Sequence, residues 1–201
     1  MPGIRPGLTL EGGVLLLVLG LSLFIFLHQL RELRLRETLL ARLSGPVYRG
    51  LLSVGVLISL WLIATGKSHA AFVQLWVPPY SLRSLTHLFM IPACILVAAG
   101  NLPLSHTRDM LHHPMLIGVA VCGIAHLLSN GDLASLLMFG SIALWAVCKV
   151  ITLERVAQNK PLSAPPSLAW DAAAVFLGTV AYTFFLVFHG PLFGYALVVL
   201  T

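Results

Sequence analysis

Of the chain's 201 residues, 58% are hydrophobic and 9% are charged, against roughly 25% charged in a typical soluble domain, which excludes a water-soluble globular fold. Lys and Arg exceed Asp and Glu by twelve to seven, a net charge of +5; in so apolar a chain the excess reflects positive charge retained in cytoplasmic loops and calls for no nucleic-acid partner. Cys94, Cys122 and Cys148 lie within apolar runs and show no C-x-x-C or zinc spacing, so neither a disulfide framework nor a structural zinc site is expected.

The first apolar run, Gly12 to Leu30, has about the 20 residues that cross a hydrocarbon core, with His28 near its end. One arginine precedes it, it carries no small-residue cleavage site, and Arg31, Arg34 and Arg36 follow it, so it reads as a first membrane helix and not as a cleaved signal. Leucines from Leu30 to Leu43 interleave with Arg31, Glu32, Arg34, Arg36, Glu37 and Arg42, a short basic amphipathic stretch suited to the headgroup region. Ser44-Gly45-Pro46 breaks it. Tyr48 to Gly66 is the second run. Lys67 to Leu82, with Trp76, Pro78, Pro79 and Tyr80, reads as an interfacial loop anchored by aromatics.

Arg83 to Leu102 is the third run. Pro114 then opens a shorter fourth helix to about Ser129, because proline's missing amide costs nothing in a first turn. Asn130-Gly131-Asp132 predicts a tight turn whose aspartate caps a fifth helix, Leu133 to about Arg155. Pro161, Pro165 and Pro166 mark a loop before the sixth, about Leu168 to His189, and the apolar tail Leu192 to Thr201 is short enough to be re-entrant.

The expectation is an all-α polytopic bundle of about six transmembrane helices, one domain over residues 1–201, with its N-terminus outside. That orientation places nine of the twelve Lys and Arg in the cytoplasm and leaves Arg5, Lys67 and Arg83 outside. The lipid bilayer is the expected surrounding partner.

Eight histidines punctuate the chain. His69 and His106 fall in loops and are assigned no role. His28, His87 and His126 fall within apolar runs, and His113 and His189 at helix ends. A buried imidazole must find partners for its N–H and its lone pair, so such residues face the interior of a bundle. Taken singly, each reads as making one interhelical hydrogen bond; taken together, they also read as ligands of a metal or haem, held from different helices. Cys122, His126 and Asn130 are spaced four apart and line one helical face, where Asn130 either orients the imidazole or shapes the turn with Gly131. Cys122 is either an apolar filler or an alternative ligand. His113 and His126 are roughly 20 Å apart along a helix and cannot share one metal. Paired carboxylates, a nucleophile elbow and a phosphate loop are all missing.

Several segments together resemble the NnrU family of bacterial membrane proteins, which is similar to the plant and cyanobacterial 15-cis-zeta-carotene isomerase. They are "LHQLR" with His28, "GPVYRGLLS" from Gly45, "LRSLTHLFM" with His87, "HPMLIG" from His113, "AHLLSNGDLASLLMFG" from Ala125 and "HGPLFG" from His189. The resemblance implies a haem b protein of the bacterial inner membrane. Its isomerase branch implies His28 and His126 as the axial ligands and a redox-gated cis–trans isomerisation of an apolar carotenoid. Its NnrU branch implies a link to denitrification and a redox partner. "HPM", "NGDLASLL" and the small Gly123 depart from the isomerase pattern. His113, His189 and Asp132 are expected beside the ligands as supporting groups. On the expected topology His126 lies about 18 Å up the fourth helix from the cytoplasmic side, at the depth of His87, so the bound pair is either His28 with His126 or His87 with His126.

Overall fold

The computed structural model describes residues 10–157 and 165–193. In chain order the helices are α1 (Leu10–His28), α2 (Leu35–Arg42), α3 (Gly45–His69), α4 (Tyr80–Asn101), α5 (His106–Leu111), α6 (Pro114–Ser129), α7 (Leu133–Ser135), a π-helical turn at Leu136–Gly140, α8 (Ser141–Ala157) and α9 (Leu168–Phe193). Four stretches are long and apolar enough to cross a membrane: Gly45–His69, Tyr80–Asn101, Leu133–Arg155 and Leu168–Gly190. Gly12–His28 and Pro114–Ser129 are shorter apolar helices. The protein is a helical membrane protein, and large side chains such as Leu57, Trp61, Leu144 and Phe176 are exposed along these helices, as lipid-facing surfaces require.

The chain divides into two compact units, Met1–Val77 with Gly131–Ser141, and Pro78–Asn130 with Ile142–Thr201. In the first, α1 packs along α3 over a seam of Leu17, Leu21, Ser59 and Ile63, all buried. Small residues set the spacing: a Cβ on Gly66 would overlap the backbone of Leu17, so the two helices touch main chain to main chain, as small-residue seams between membrane helices do. Pro46 occupies the first turn of α3, and the helix runs on to His69, further at both ends than the apolar run marked out. The amphipathic stretch expected from Leu30 to Leu43 is divided. A turn held by Leu33 N–H to Gln29 O and Arg34 N–H to Arg31 O precedes the eight residues of α2, none of which is buried.

The segment after α3 is extended and is tied to the extended link before α7. Leu75 N–H and Trp76 N–H reach Gly131 O at 2.7 and 3.2 Å, and Leu133 N–H reaches Val73 O at 2.8 Å. The interfacial loop expected over Lys67–Leu82 is therefore shorter, because α4 already begins at Tyr80.

In the second unit α4 packs on both α6 and α9. A Cβ on Gly178 of α9 would overlap the backbone of Ile95. Ala93 and Ala99 of α4, and Leu116, Ala120 and Ala125 of α6, form the buried seam. Pro114 stands in the first turn of α6. The loop residues 158–164 and the tail 194–201 lie outside the described residues.

Candidate functional site

Within α6, His126 Nδ1 lies 2.8 Å from the carbonyl oxygen of Cys122, one turn back, and 3.7 Å from Cys122 Sγ. A carbonyl only accepts, so Nδ1 carries the proton and the ring lone pair is on Nε2, the arrangement in which imidazoles bind metals. His28 repeats the device at the end of α1, with Nδ1 2.8 Å from Phe24 O and its ring 4.2 Å from the Phe24 ring. His87 on α4 differs. Its Nδ1 lies 3.3 Å from the Tyr182 hydroxyl of α9, and a phenol both donates and accepts, so the contact leaves either ring nitrogen able to carry the proton.

A polar contact sets the level of these groups within the second unit. Thr86 Oγ1 lies 2.9 Å from Ala125 O and 2.5 Å from Ser129 Oγ, which brings the neighbouring His87 and His126 to one height along α4 and α6. The unit thus sets Cys122 beside His126, with the His87–Tyr182 pair at the same level as His126, and His189 stands near the end of α9.

Asn130 donates from Nδ2 to the backbone carbonyl of His126 at 2.7 Å, closing the last turn of α6 without touching the imidazole ring. Asp132 caps α7 as expected, accepting from Ser135 N–H at 2.9 Å and from Ser135 Oγ–H at 2.5 Å, and it also takes Lys67 Nζ at 2.8 Å. Burial pulls this carboxyl upward, but the hydrogen bonds from Lys67 and Ser135 and the Lys67 charge outweigh it and hold the group below the ordinary carboxylate range.

His113 precedes α6. Its Nε2 is buried, has no hydrogen-bond partner among the described residues, and stands 4.0 Å from Glu154 Oε1. Next to it, His112 Nδ1 meets both Glu154 oxygens, at 3.1 and 3.2 Å. His112 has φ 52° and ψ −47°, and His113 N–H closes on Leu111 O at 2.5 Å, a γ-turn of the strained sign. His106, expected to be a solvated loop residue, instead starts α5 and pairs with Asp171, which takes its Nδ1 at 3.1 Å, its backbone N–H at 2.9 Å and that of Thr107 at 3.0 Å.

Tyr182, Lys67, Glu154 and Asp171 are the partners that sequence reasoning missed. Their signal in the sequence is weak, since each contacts a residue at least 42 positions away. Among the described residues no three His, Cys, Asp or Glu side chains are placed to hold a metal ion. A macrocycle-bound iron asks less of the chain, since it needs only axial imidazoles.

The family model described as NnrU protein matches residues 16–197. The chain belongs to the NnrU protein family. The match takes in His28, His87, His113, His126 and His189, and with them both units. No curated protein and no solved structure matches the chain.

Proposed function

We propose that this NnrU-family protein binds haem b in the bacterial inner membrane, with His126 as one axial ligand and either His28 or His87 as the other, and serves a redox role linked to nitrogen-oxide metabolism. In this reading all six apolar helices span, with the N-terminus outside. The observation that carries it is the His126 Nδ1 contact to Cys122 O at 2.8 Å, which directs the ring lone pair to Nε2. His28 meets the same local test through Phe24 O. His87 meets it only if Tyr182 accepts its proton.

Haem held by His126 and its partner histidine would supply a redox-active iron whose potential those imidazoles and the burial around them would set. The chain's own residues prepare the donor. The Cys122 carbonyl accepts a hydrogen bond from Nδ1–H and makes the imidazole a better base, Asn130 fixes the turn that ends the ligand helix, and Thr86 with Ser129 holds α4 against α6 at that height.

The test is the absorption spectrum of the full chain purified after expression with added haem, beside His28→Ala, His87→Ala and His126→Ala. A Soret band in the wild type that His126→Ala abolishes or shifts supports the reading, and whichever second variant shifts it identifies the other ligand. A wild type without a Soret band, or a His126→Ala spectrum identical to the wild type, overturns it. Variants that lose stability while the spectrum is unchanged would mark the histidines as interhelical bonding residues.

A further inference from the structure

The stretch from Arg31 to Arg49 holds five arginines, Arg31, Arg34, Arg36, Arg42 and Arg49, against Glu32 and Glu37, so three of the protein's five net positive charges sit in this short segment. All five arginines are exposed, and among the described residues none of them is in an ion pair. Without a carboxylate partner among the described residues, their charge is left for something outside the chain.

Position says what that is. The segment joins the end of α1 to the start of α3, two apolar helices that run side by side in opposite directions, so it emerges where their hydrocarbon-facing surfaces stop. Leu33, Leu35 and Val47 are exposed beside the arginines, which suits a layer where acyl chains give way to phosphates. The backbone is arranged for display as well. Arg34 adopts φ 58°, a left-handed conformation that costs a non-glycine residue roughly 1 kcal/mol, and the turn it makes separates α2 from α1, leaving α2 with no buried residue.

We propose that the α1–α3 connection is a binding surface for anionic phospholipid headgroups, with Arg34, Arg36 and Arg42 as its principal phosphate donors. Guanidinium groups suit this ligand because their fork of N–H donors matches phosphate oxygens in pairs. The proposal stands whether or not haem binds.

The experiment uses the full chain in nanodiscs of phosphatidylcholine doped with phosphatidylglycerol, where both leaflets are reachable and insertion orientation does not matter. Spin-labelled phosphatidylglycerol and phosphatidylcholine report how strongly each lipid is held at the protein. The wild type should hold the anionic lipid several-fold more strongly, since each arginine near an anionic surface is worth roughly fivefold in binding. That preference should fall toward one in about 1 M salt, where the Debye length is about 3 Å. Arg34→Gln with Arg36→Gln and Arg42→Gln should remove most of it, and the corresponding triple lysine variant should keep more than the glutamine variant. Equal retention of the two lipids by the wild type would show that the arginines only orient the chain, and a preference surviving both high salt and the glutamine variant would place it elsewhere; either result overturns the proposal. If the glutamine variant does not fold, the salt dependence of the wild type decides alone.

Discussion

Each unit carries a polar pair joining residues far apart in the chain, and the two pairs live in different surroundings. Lys67 and Asp132 meet at 2.8 Å with the Asp132 side chain 7% exposed, whereas His112 and Glu154 meet at 3.1 Å with side chains 59% and 41% exposed. Asp132 also caps a helix and touches Ser135 twice; among the described residues Glu154 receives only histidines. A buried carboxylate is held to its partners by the cost of leaving its charge unmatched, while a pair in water can lose one member and let solvent replace it. The first therefore fixes structure, and the second is free to change with conditions.

Three changes test that contrast, taken from the strongest effect to the weakest. Asp132→Ala removes the partner of the part-exposed Lys67 and uncaps α7, and should cost about 2 kcal/mol in thermal or denaturant unfolding of the detergent-solubilised protein; a loss below about 1 kcal/mol would mean that the pair is no more than a surface contact. The second change is in pH. Because the folded-state carboxyl of Asp132 is depressed, its contribution is fully present above the ordinary carboxyl value of about 3.9 and disappears as pH falls through the lower folded-state value. The melting temperature of the wild type should thus converge on that of Asp132→Asn as the medium is acidified below about pH 4. A gap between the two that is constant with pH would assign the stability to shape and not to charge. Smallest is His112→Ala, expected to shift stability by less than about 1 kcal/mol; a loss as large as that of Asp132→Ala would erase the contrast.

Local chemistry was readable from the chain, and distant pairing was not. The Asp132 cap and the first-turn Pro114 follow from neighbours within a few residues, and both are found; the tight turn expected at Asn130-Gly131-Asp132 is instead an extended link, because Asp132 pairs with the extended segment at Gln74. That Asp132 also holds Lys67 could not be read, because 65 residues separate them and nothing local distinguishes Lys67 from any lysine at a helix end. Tyr182 looked like one more aromatic in an apolar helix until α9 was packed on α4. The π-helical turn within Leu133–Arg155 left no trace in the apolar pattern, since a uniformly apolar run has no polar stripe to reveal a change of period. At the candidate site, the four-residue spacing of Cys122, His126 and Asn130 was visible. The use of two backbone carbonyls, Cys122 O for the ring of His126 and His126 O for the amide of Asn130, was not, because side-chain bonds to the main chain have no partner residue type to look for.

The contact at Gly66 bears on how the protein is made. Gly12–His28 is a short apolar helix, about 26 Å long at 1.5 Å per residue, slightly less than a hydrocarbon core of about 30 Å. Its seam partner, the Gly66 end of α3, leaves the ribosome only after the whole α1–α3 connection has been synthesised. The main-chain fit between Leu17 and Gly66 leaves no space for an acyl chain between them, so the mature seam forms by closing α3 onto a waiting α1 and squeezing lipid out. Insertion of this protein is in that respect the folding of a hairpin, and a bulky residue at Gly66 would be felt first as a failure of biogenesis.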